Sequence, residues 1–342
     1  MKTNNDFFKS SRIQFLQTKL DRSEMKLFGK DNQESGNKVG TPEKKNPSKQ
    51  HPELKIISGN QISQPPSPSQ KEVQPEPETT LLPNVNHAIA ISSGKGGVGK
   101  STVAANLSLA MAGKGFKVGL MDADVYGPSI PTMMGVKQQP KITKERKLIP
   151  IDQHGISLMS IGFMVEDEQA MIWRGPMLHS AMRQFLGDVI WGDLDYLFID
   201  MPPGTGDVQL SLSQITSLRG TVVVTTPQEV ALSDVKRSIS MCNRMETPLL
   251  GIVENMSYYI DDSGKKIEIF GNGGGEKISQ KLGTNLLGQI PIDPQICQCG
   301  DLGTPIVIGY PDSPQSLVFQ RIADGLVNQI DQLDPQDELV IE

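Results

Sequence analysis

The feature that most constrains this chain is a nine-residue run, Gly94-Lys95-Gly96-Gly97-Val98-Gly99-Lys100-Ser101-Thr102. It lies between a short apolar segment with strand character, HAIAISS (87–93), and a segment with helix character, 100–114. Gly94, Gly99, Lys100 and Ser101 fit the pattern G-x-x-x-x-G-K-[ST]. Glycines let successive backbone N–H groups turn inward around phosphate oxygens, and the helix that follows aims its N-terminal partial positive charge at the same anion. In that arrangement Lys100 reaches the β- and γ-phosphates and the Ser101 hydroxyl ligates Mg²⁺. The other reading is a glycine-rich turn that binds nothing, and the strand-loop-helix context argues against it.

The rest of the chain from His87 repeats this alternation. Apolar strand-like runs occur at 117–124 (KVGLMDAD), 156–163 (ISLMSIGF), 195–200 (DYLFID), 220–226 (GTVVVTT), 248–256 (PLLGIVENM) and 285–291 (NLLGQIP). Helical patterns cover 176–190, 229–246, 273–282 and 315–332. Near-continuous apolar strands separated by helices predict an α/β fold, a doubly wound and mostly parallel sheet. Residues 61–83 are rich in Pro, Ser, Gln and Glu and read as a disordered linker. Before them, Phe8, Ile13, Leu16 and Leu20 could form one short helix face, either marginal or a docking helix. The expected organisation is a tail at 1–85, an ATPase domain at 86–335 and a short tail at 336–342.

Carboxylates stand where such a sheet meets its ligand. Asp122 and Asp124 close the run 117–124, and alternation along a strand would put both on one side, near the phosphate loop. One can orient the attacking water and the other hold Mg²⁺ through its water shell; the preferred split gives the water to Asp124 and the metal to Asp122. Asp200 ends another apolar run and has Walker B character, a carboxylate reaching the Mg²⁺ shell. The loop Pro202-Pro203-Gly204-Thr205-Gly206-Asp207 behind it could sense the γ-phosphate as a switch, or be a plain turn.

Composition narrows the function classes. Residues 1–85 hold 13 Lys/Arg and 10 Asp/Glu, the remainder 20 and 29, so the folding part is acidic. That argues against broad nucleic-acid binding. No apolar run nears the roughly 20 residues that span a bilayer, and MKTNNDFFKSSRIQ lacks a secretory h-region. The expected compartment is the cytoplasm, with no membrane partner. Three cysteines, Cys242, Cys297 and Cys299, do not suggest a disulfide framework. Cys242 reads as a small core residue, and His51, His87, His154 and His179 form no local cluster.

Lys95 resembles the signature lysine of the deviant Walker A group, which includes the MinD, ParA, ArsA and nitrogenase iron proteins. The resemblance implies a nucleotide-dependent homodimer in which Lys95 crosses to the partner's nucleotide and offsets charge on the transferring phosphoryl group; alone, it could be an exposed loop charge. More specifically, GKGGVGKSTVAANLSLAMA, DADVYGPSIPTMMG, MIWRGPM, DYLFIDMPPGTGDVQLSL, VVVTTPQEVALSDVKR, GIVENMSY, IFGNGGG and IPIDP resemble the Mrp/ApbC family of ATPases, over about 82 to 322. The resemblance implies an ATP-hydrolysing carrier that delivers iron–sulfur clusters to apoproteins. It also implies that Asn255 and the Ile290–Asp293 loop lie at the adenine; a turn-forming role is the alternative for Asn255.

The chain departs from that family in two ways. Where a C-x-x-C usually follows ENMSY and bridges one cluster across the dimer, this chain reads Tyr258-Tyr259-Ile260-Asp261-Asp262-Ser263-Gly264. The small α/β domain that often precedes the ATPase is not seen in residues 1–85. Cys297 and Cys299 could replace the missing thiolates, four across a two-fold, or be incidental. A regulatory ATPase that has lost its cluster is therefore the alternative function. A membrane- or DNA-binding organiser of the MinD or ParA kind is disfavoured by the acidic C-terminus, DQLDPQDELVIE. An electron-transfer ATPase of the nitrogenase iron-protein kind would need paired cluster cysteines near its switch loops, and none stands there.

Overall fold

The computed structural model describes residues 81–125, 127–163, 182–183, 185–204, 209–210, 212 and 216–333, with backbone alone for 229–234. The proposed N-terminal helix face, the linker and the C-terminal tail lie outside the described residues. In chain order the strands are β1 (Val85–Ser92), β2 (Val118–Asp122), β3 (Lys141–Ile142), β4 (Leu148–Ile149), β5 (Ile151–Gln153), β6 (Ile156–Ser160), β7 (Leu194–Asp200), β8 (Gly220–Thr225), β9 (Leu249–Glu254), β10 (Tyr259–Ile260), β11 (Lys266–Ile267) and β12 (Leu286–Gln289). Eight of them form one sheet in the order β12-β9-β8-β1-β7-β2-β6-β5. Its pairings are parallel except β5 with β6, which closes one edge antiparallel.

The helices are α1 (Lys100–Gly113), α2 (Ile130–Met133), α3 (Glu229–Arg244), α4 (Gly274–Leu282), α5 (Pro294–Asp301), α6 (Ile306–Gly309) and α7 (Pro314–Leu333). Residues 182–183 and 185–188 are helical; the rest of the expected 176–190 helix, apart from Val189 and Ile190, lies outside the described residues. The central strands β1, β7 and β8 are apolar because both their faces are covered, and from Ala88 to Ser92 and from Tyr196 to Asp200 every residue is buried. On α1, Val103 to Met111 are all buried, which explains its lack of a polar face. It packs with α7, whose Phe319, Ile322, Ala323, Leu326 and Ile330 join the same core. A smaller core sits around Val223, Val235, Ile252 and Ile278, where α3 and α4 meet the sheet.

Two local expectations need correction, and one helix was not anticipated. The strand expected over 117–124 stops at Asp122, so Asp124 lies in the loop beyond it and alternation does not place it. The strand expected over 156–163 ends at Ser160 and gives way to a 3-10 turn at Ile161–Phe163. Residues 294–301, to which the sequence pattern assigned no element, form α5. The signal was present in Asp293-Pro294: proline stands at the start of the helix and the Asp293 carboxylate accepts from the Gln295 N–H at 2.7 Å.

Phe319 is fully buried on α7. Phe319→Ala should lower unfolding stability by about 3–5 kcal/mol in urea titrations. A loss under about 1 kcal/mol would mean that the site collapses freely around the missing ring.

Candidate functional site

The phosphate loop leaves the end of β1 and enters α1 through Gly99, whose φ of 80° is left-handed and open to glycine at little cost. No side chain caps the first turn of α1, so its N-terminal N–H groups are left to another acceptor. Asn255, just past the end of β9, donates its amide to the Val98 carbonyl at 2.8 Å. A Cβ on Gly99 would collide with that same amide. The loop therefore rests directly on Asn255, and one of its two amide hydrogens is already used there. Ser93 Oγ closes the near side of the loop by donating to the Lys95 carbonyl at 3.0 Å. Lys95 itself is half-buried, in no ion pair among the described residues; Gly96 and Gly97 are exposed.

Lys100 is the charge around which the acidic residues gather. Its Nζ lies 2.6 Å from Asp200 Oδ1, 3.7 Å from Asp124 Oδ2 and 3.4 Å from the Ser101 hydroxyl. The sheet register accounts for this: Asp200 of β7 stands beside Ile91 of β1 and beside Asp122 of β2. Two carboxylates thus pair with one ammonium and a third, Asp122, is buried beside Asp200, an excess of negative charge. Burial, with the charge of Asp200 added, pushes Asp122 from 3.8 up to about 7. Burial also raises Asp200, against the opposing pull of Lys100. Asp200 Oδ2 has no hydrogen-bond partner among the described residues although it is fully buried. An orphaned oxygen beside surplus carboxylate charge fits a divalent cation.

Asp122 is placed differently from Asp124 and Asp200. Its Oδ1 accepts from the Asp124 N–H at 3.1 Å, and its Oδ2 accepts from the Ser160 hydroxyl at 3.0 Å and the Ile130 N–H at 3.3 Å. Fully buried, it ties the loop after β2 to β6 and to the start of α2. Its oxygens are turned to protein donors, whereas Asp200 keeps one oxygen without a partner among the described residues. Ser160 gave no sequence signal, since a serine at a strand end has many uses.

The Pro202–Gly204 loop is fastened from two sides. Gly204 N–H donates to the Ser93 carbonyl at 3.0 Å, and the buried Gln209 amide donates to the carbonyls of Pro202 and Gly204 at 2.9 and 2.6 Å. Thr205, Gly206 and Asp207 lie outside the described residues. The Ile290–Asp293 segment is internal: the Ile290 N–H donates to the Glu254 carbonyl, and Asp293 caps α5 and bonds the Gln315 amide.

The cysteines correct the idea of a relocated chelate. Cys297 and Cys299 sit on α5, and two residues along a helix point to different sides. Cys297 is exposed; Cys299 is buried in the main core, its thiol pushed up to about 11 by burial and by Asp293. In this structure the two thiols of one subunit are not presented together. Cys242 is buried, as expected. Among the described residues no group of three or more His, Cys, Asp or Glu is placed to hold a metal ion. Where the resembled family carries C-x-x-C, β10 and β11 form a hairpin whose turn is held by Asp261, accepting from Ser263 and Lys265 N–H groups at 2.9 Å. Asp261 and Ser263 are there as turn formers.

Comparison with known proteins agrees with this geometry. Residues 84–327 match the family described as ParA, NUBPL iron-transfer P-loop NTPase. The iron-sulfur cluster carrier protein of Aquifex aeolicus is 51% identical over 248 residues, which cover 72% of this chain and 68% of that protein. The protein of the same name from Escherichia coli K12 is 49% identical over 262 residues, 76% of this chain and 70% of that one. Among solved structures, a nucleotide-binding protein from Archaeoglobus fulgidus in complex with ADP superposes with a TM-score of 0.61 at 38% identity, covering 70% of this chain and 95% of that one. The cell division ATPase MinD of Pyrococcus furiosus, at a TM-score of 0.54 and 24% identity over 71% of this chain and 99% of its own, shares the fold.

The raised Asp122 gives a signed pH dependence. Folding holds this proton up to about 7, whereas the unfolded chain releases it near 3.8. The group's contribution to stability is therefore complete below the lower value and lost as pH rises through the interval. In thermal melts without nucleotide or Mg²⁺, the wild type should lose stability across that window more steeply than Asp122→Asn. Parallel profiles would show that this carboxyl titrates normally.

Proposed function

The chain belongs to the NUBPL iron-transfer P-loop NTPase family, and from that premise we propose that it is an ATP-hydrolysing carrier that binds iron–sulfur clusters and passes them to recipient apoproteins. The single observation that supports it most is the Lys100 ammonium held between Asp200 and Asp124 at the mouth of the phosphate loop. The names of the Aquifex aeolicus and Escherichia coli relatives support the cargo. No helix among the described residues is long and apolar enough to cross a membrane.

In this reading the N–H groups of Gly94 to Thr102 and the start of α1 cradle the β- and γ-phosphates. Lys100 exchanges its pairing with Asp200 for the phosphate oxygens. The Asp200 carboxylate so released and the Ser101 hydroxyl would hold Mg²⁺, which would supply positive charge against the transferring phosphoryl group. Asp124, in the loop anchored by Asp122, orients the attacking water. Asn255 lies at the adenine and steadies the loop at once. Lys95 reaches the nucleotide of a second copy, so hydrolysis requires a homodimer, and turnover is slow, below the roughly 10 s⁻¹ median of enzymes.

The cargo needs soft thiolates. The exposed Cys297 offers one per subunit, two across a two-fold axis, and the remaining ligands come from the recipient or from a small thiol. Anaerobic reconstitution with iron and sulfide, counting iron per dimer in wild type and Cys297→Ser, tests this. Stable iron lost in the variant is expected. Iron absent from the wild type would leave a regulatory ATPase without cargo. Separately, Lys95→Ala should abolish ATP-dependent dimers by light scattering and cut hydrolysis by about 10²-fold or more, with an unchanged melting temperature. Normal dimers would remove the role given to Lys95.

A further inference from the structure

Glu254 ends β9 with its side chain fully buried, yet none of the roles above uses it. Its carboxylate collects three donors from three elements. Oε1 accepts from the Ser257 hydroxyl at 2.6 Å and from the Gln289 amide of β12 at 2.8 Å; Oε2 accepts from the Gly275 N–H in the first turn of α4 at 2.5 Å. The glycines of the FGNGGG segment explain themselves here. A Cβ on Gly275 would stand 2.9 Å from Glu254 Oε2, and one on Gly274 would run into the Pro227 carbonyl. Small residues are needed so that α4 can bring its N–H to the carboxylate.

The next residue is Asn255, whose amide supports Val98 and abuts Gly99. Backbone bonds fix the same turn: Asn255 N–H to the Thr225 carbonyl at 2.8 Å, Ser257 N–H to the Ile290 carbonyl at 2.9 Å, Ile290 N–H to the Glu254 carbonyl at 2.8 Å. Met256 between them holds a left-handed φ of 54°, which costs a non-glycine residue energy and persists only where its surroundings impose it. Glu254 opens this strained turn, and its side chain bonds Ser257 at the turn's far end and anchors it to β12 and α4.

We infer that Glu254 is a positioning residue for nucleotide binding, acting through Asn255 on the phosphate loop by tying β9, β12 and α4 into one frame. The inference rests on the nucleotide-binding part of the proposed function and is independent of the cargo.

A double-mutant cycle tests it. ADP affinity by calorimetry and kcat/KM for ATP are measured for wild type, Glu254→Ala, Asn255→Ala and the double variant, with melting temperatures alongside. Each single change should weaken ADP binding about tenfold, the effect of one lost buried hydrogen bond. The double variant should be no worse than Asn255→Ala, because the two act in series. Multiplying losses, or a Glu254→Ala protein that melts lower yet binds ADP normally, would overturn the inference and leave Glu254 a structural residue. Should Glu254→Ala not fold, Glu254→Gln keeps the shape and one acceptor. It is expected to bind ADP several-fold more weakly in the Asn255 background and to add nothing in the Asn255→Ala background; unchanged affinity overturns the inference. A wild type that binds ADP but carries no iron would sink the carrier reading alone, and one that binds no ADP would sink both.

Discussion

The ion pair between Lys100 and Asp200 is the contact on which the rest of the site depends. It is buried on both sides at 2.6 Å, and its partners come from the two central strands' C-terminal ends, one through the phosphate loop and one directly. Buried pairs of this kind contribute little net stability, because desolvation offsets the attraction. Their value lies elsewhere. Lys100 is held where a phosphate can take it over, and Asp200 where a cation can. The parallel sheet supplies this arrangement, since β1, β7 and β2 all end at the same edge with Asp200 and Asp122 side by side.

Around that pair the structure separates roles that look alike as residue types. Four carboxylates end or follow strands here: Asp122, Asp124, Asp200 and Glu254. Asp200 keeps an oxygen without a partner, whereas Asp122 and Glu254 have theirs turned to protein hydroxyl, amide and backbone donors. The first arrangement suits a cation, the other two fasten loops. Asp122 fixes the loop that carries Asp124, and Glu254 fixes the turn that carries Asn255. Asp124 and Asn255 thus each have a buried carboxylate shortly before them in the chain, two residues before Asp124 and directly before Asn255. Rigid support of this kind is what holds reacting groups in register.

The cargo end is built differently from the nucleotide end. The hairpin of β10 and β11 occupies the place expected for paired thiolates and is organised by Asp261 around its own turn. The neighbouring cysteines are divided by the geometry of α5, one in the core and one at the surface.

The sequence by itself determined the fold class, the phosphate loop, the acidic strand ends and the family. These are written in short-range patterns: a glycine spacing, an apolar run closed by a carboxylate, a strand followed by a helix. Strand existence was legible for β1, β2, β6, β7, β8, β9 and β12, whose apolar runs are covered by helices. The two-residue hairpin strands and the antiparallel β5 were not, because so short a stretch has no period to read. The tertiary structure alone decided which carboxylate keeps an oxygen without a partner, that Asn255 supports Val98, that Glu254 joins three elements, and that Cys297 and Cys299 point apart. Those are long-range matters of register and packing. Of the donors that distinguish Asp122 from Asp200, the Asp124 and Ile130 N–H groups are local, but the Ser160 hydroxyl lies 38 positions away and is brought beside Asp122 only when the strands align.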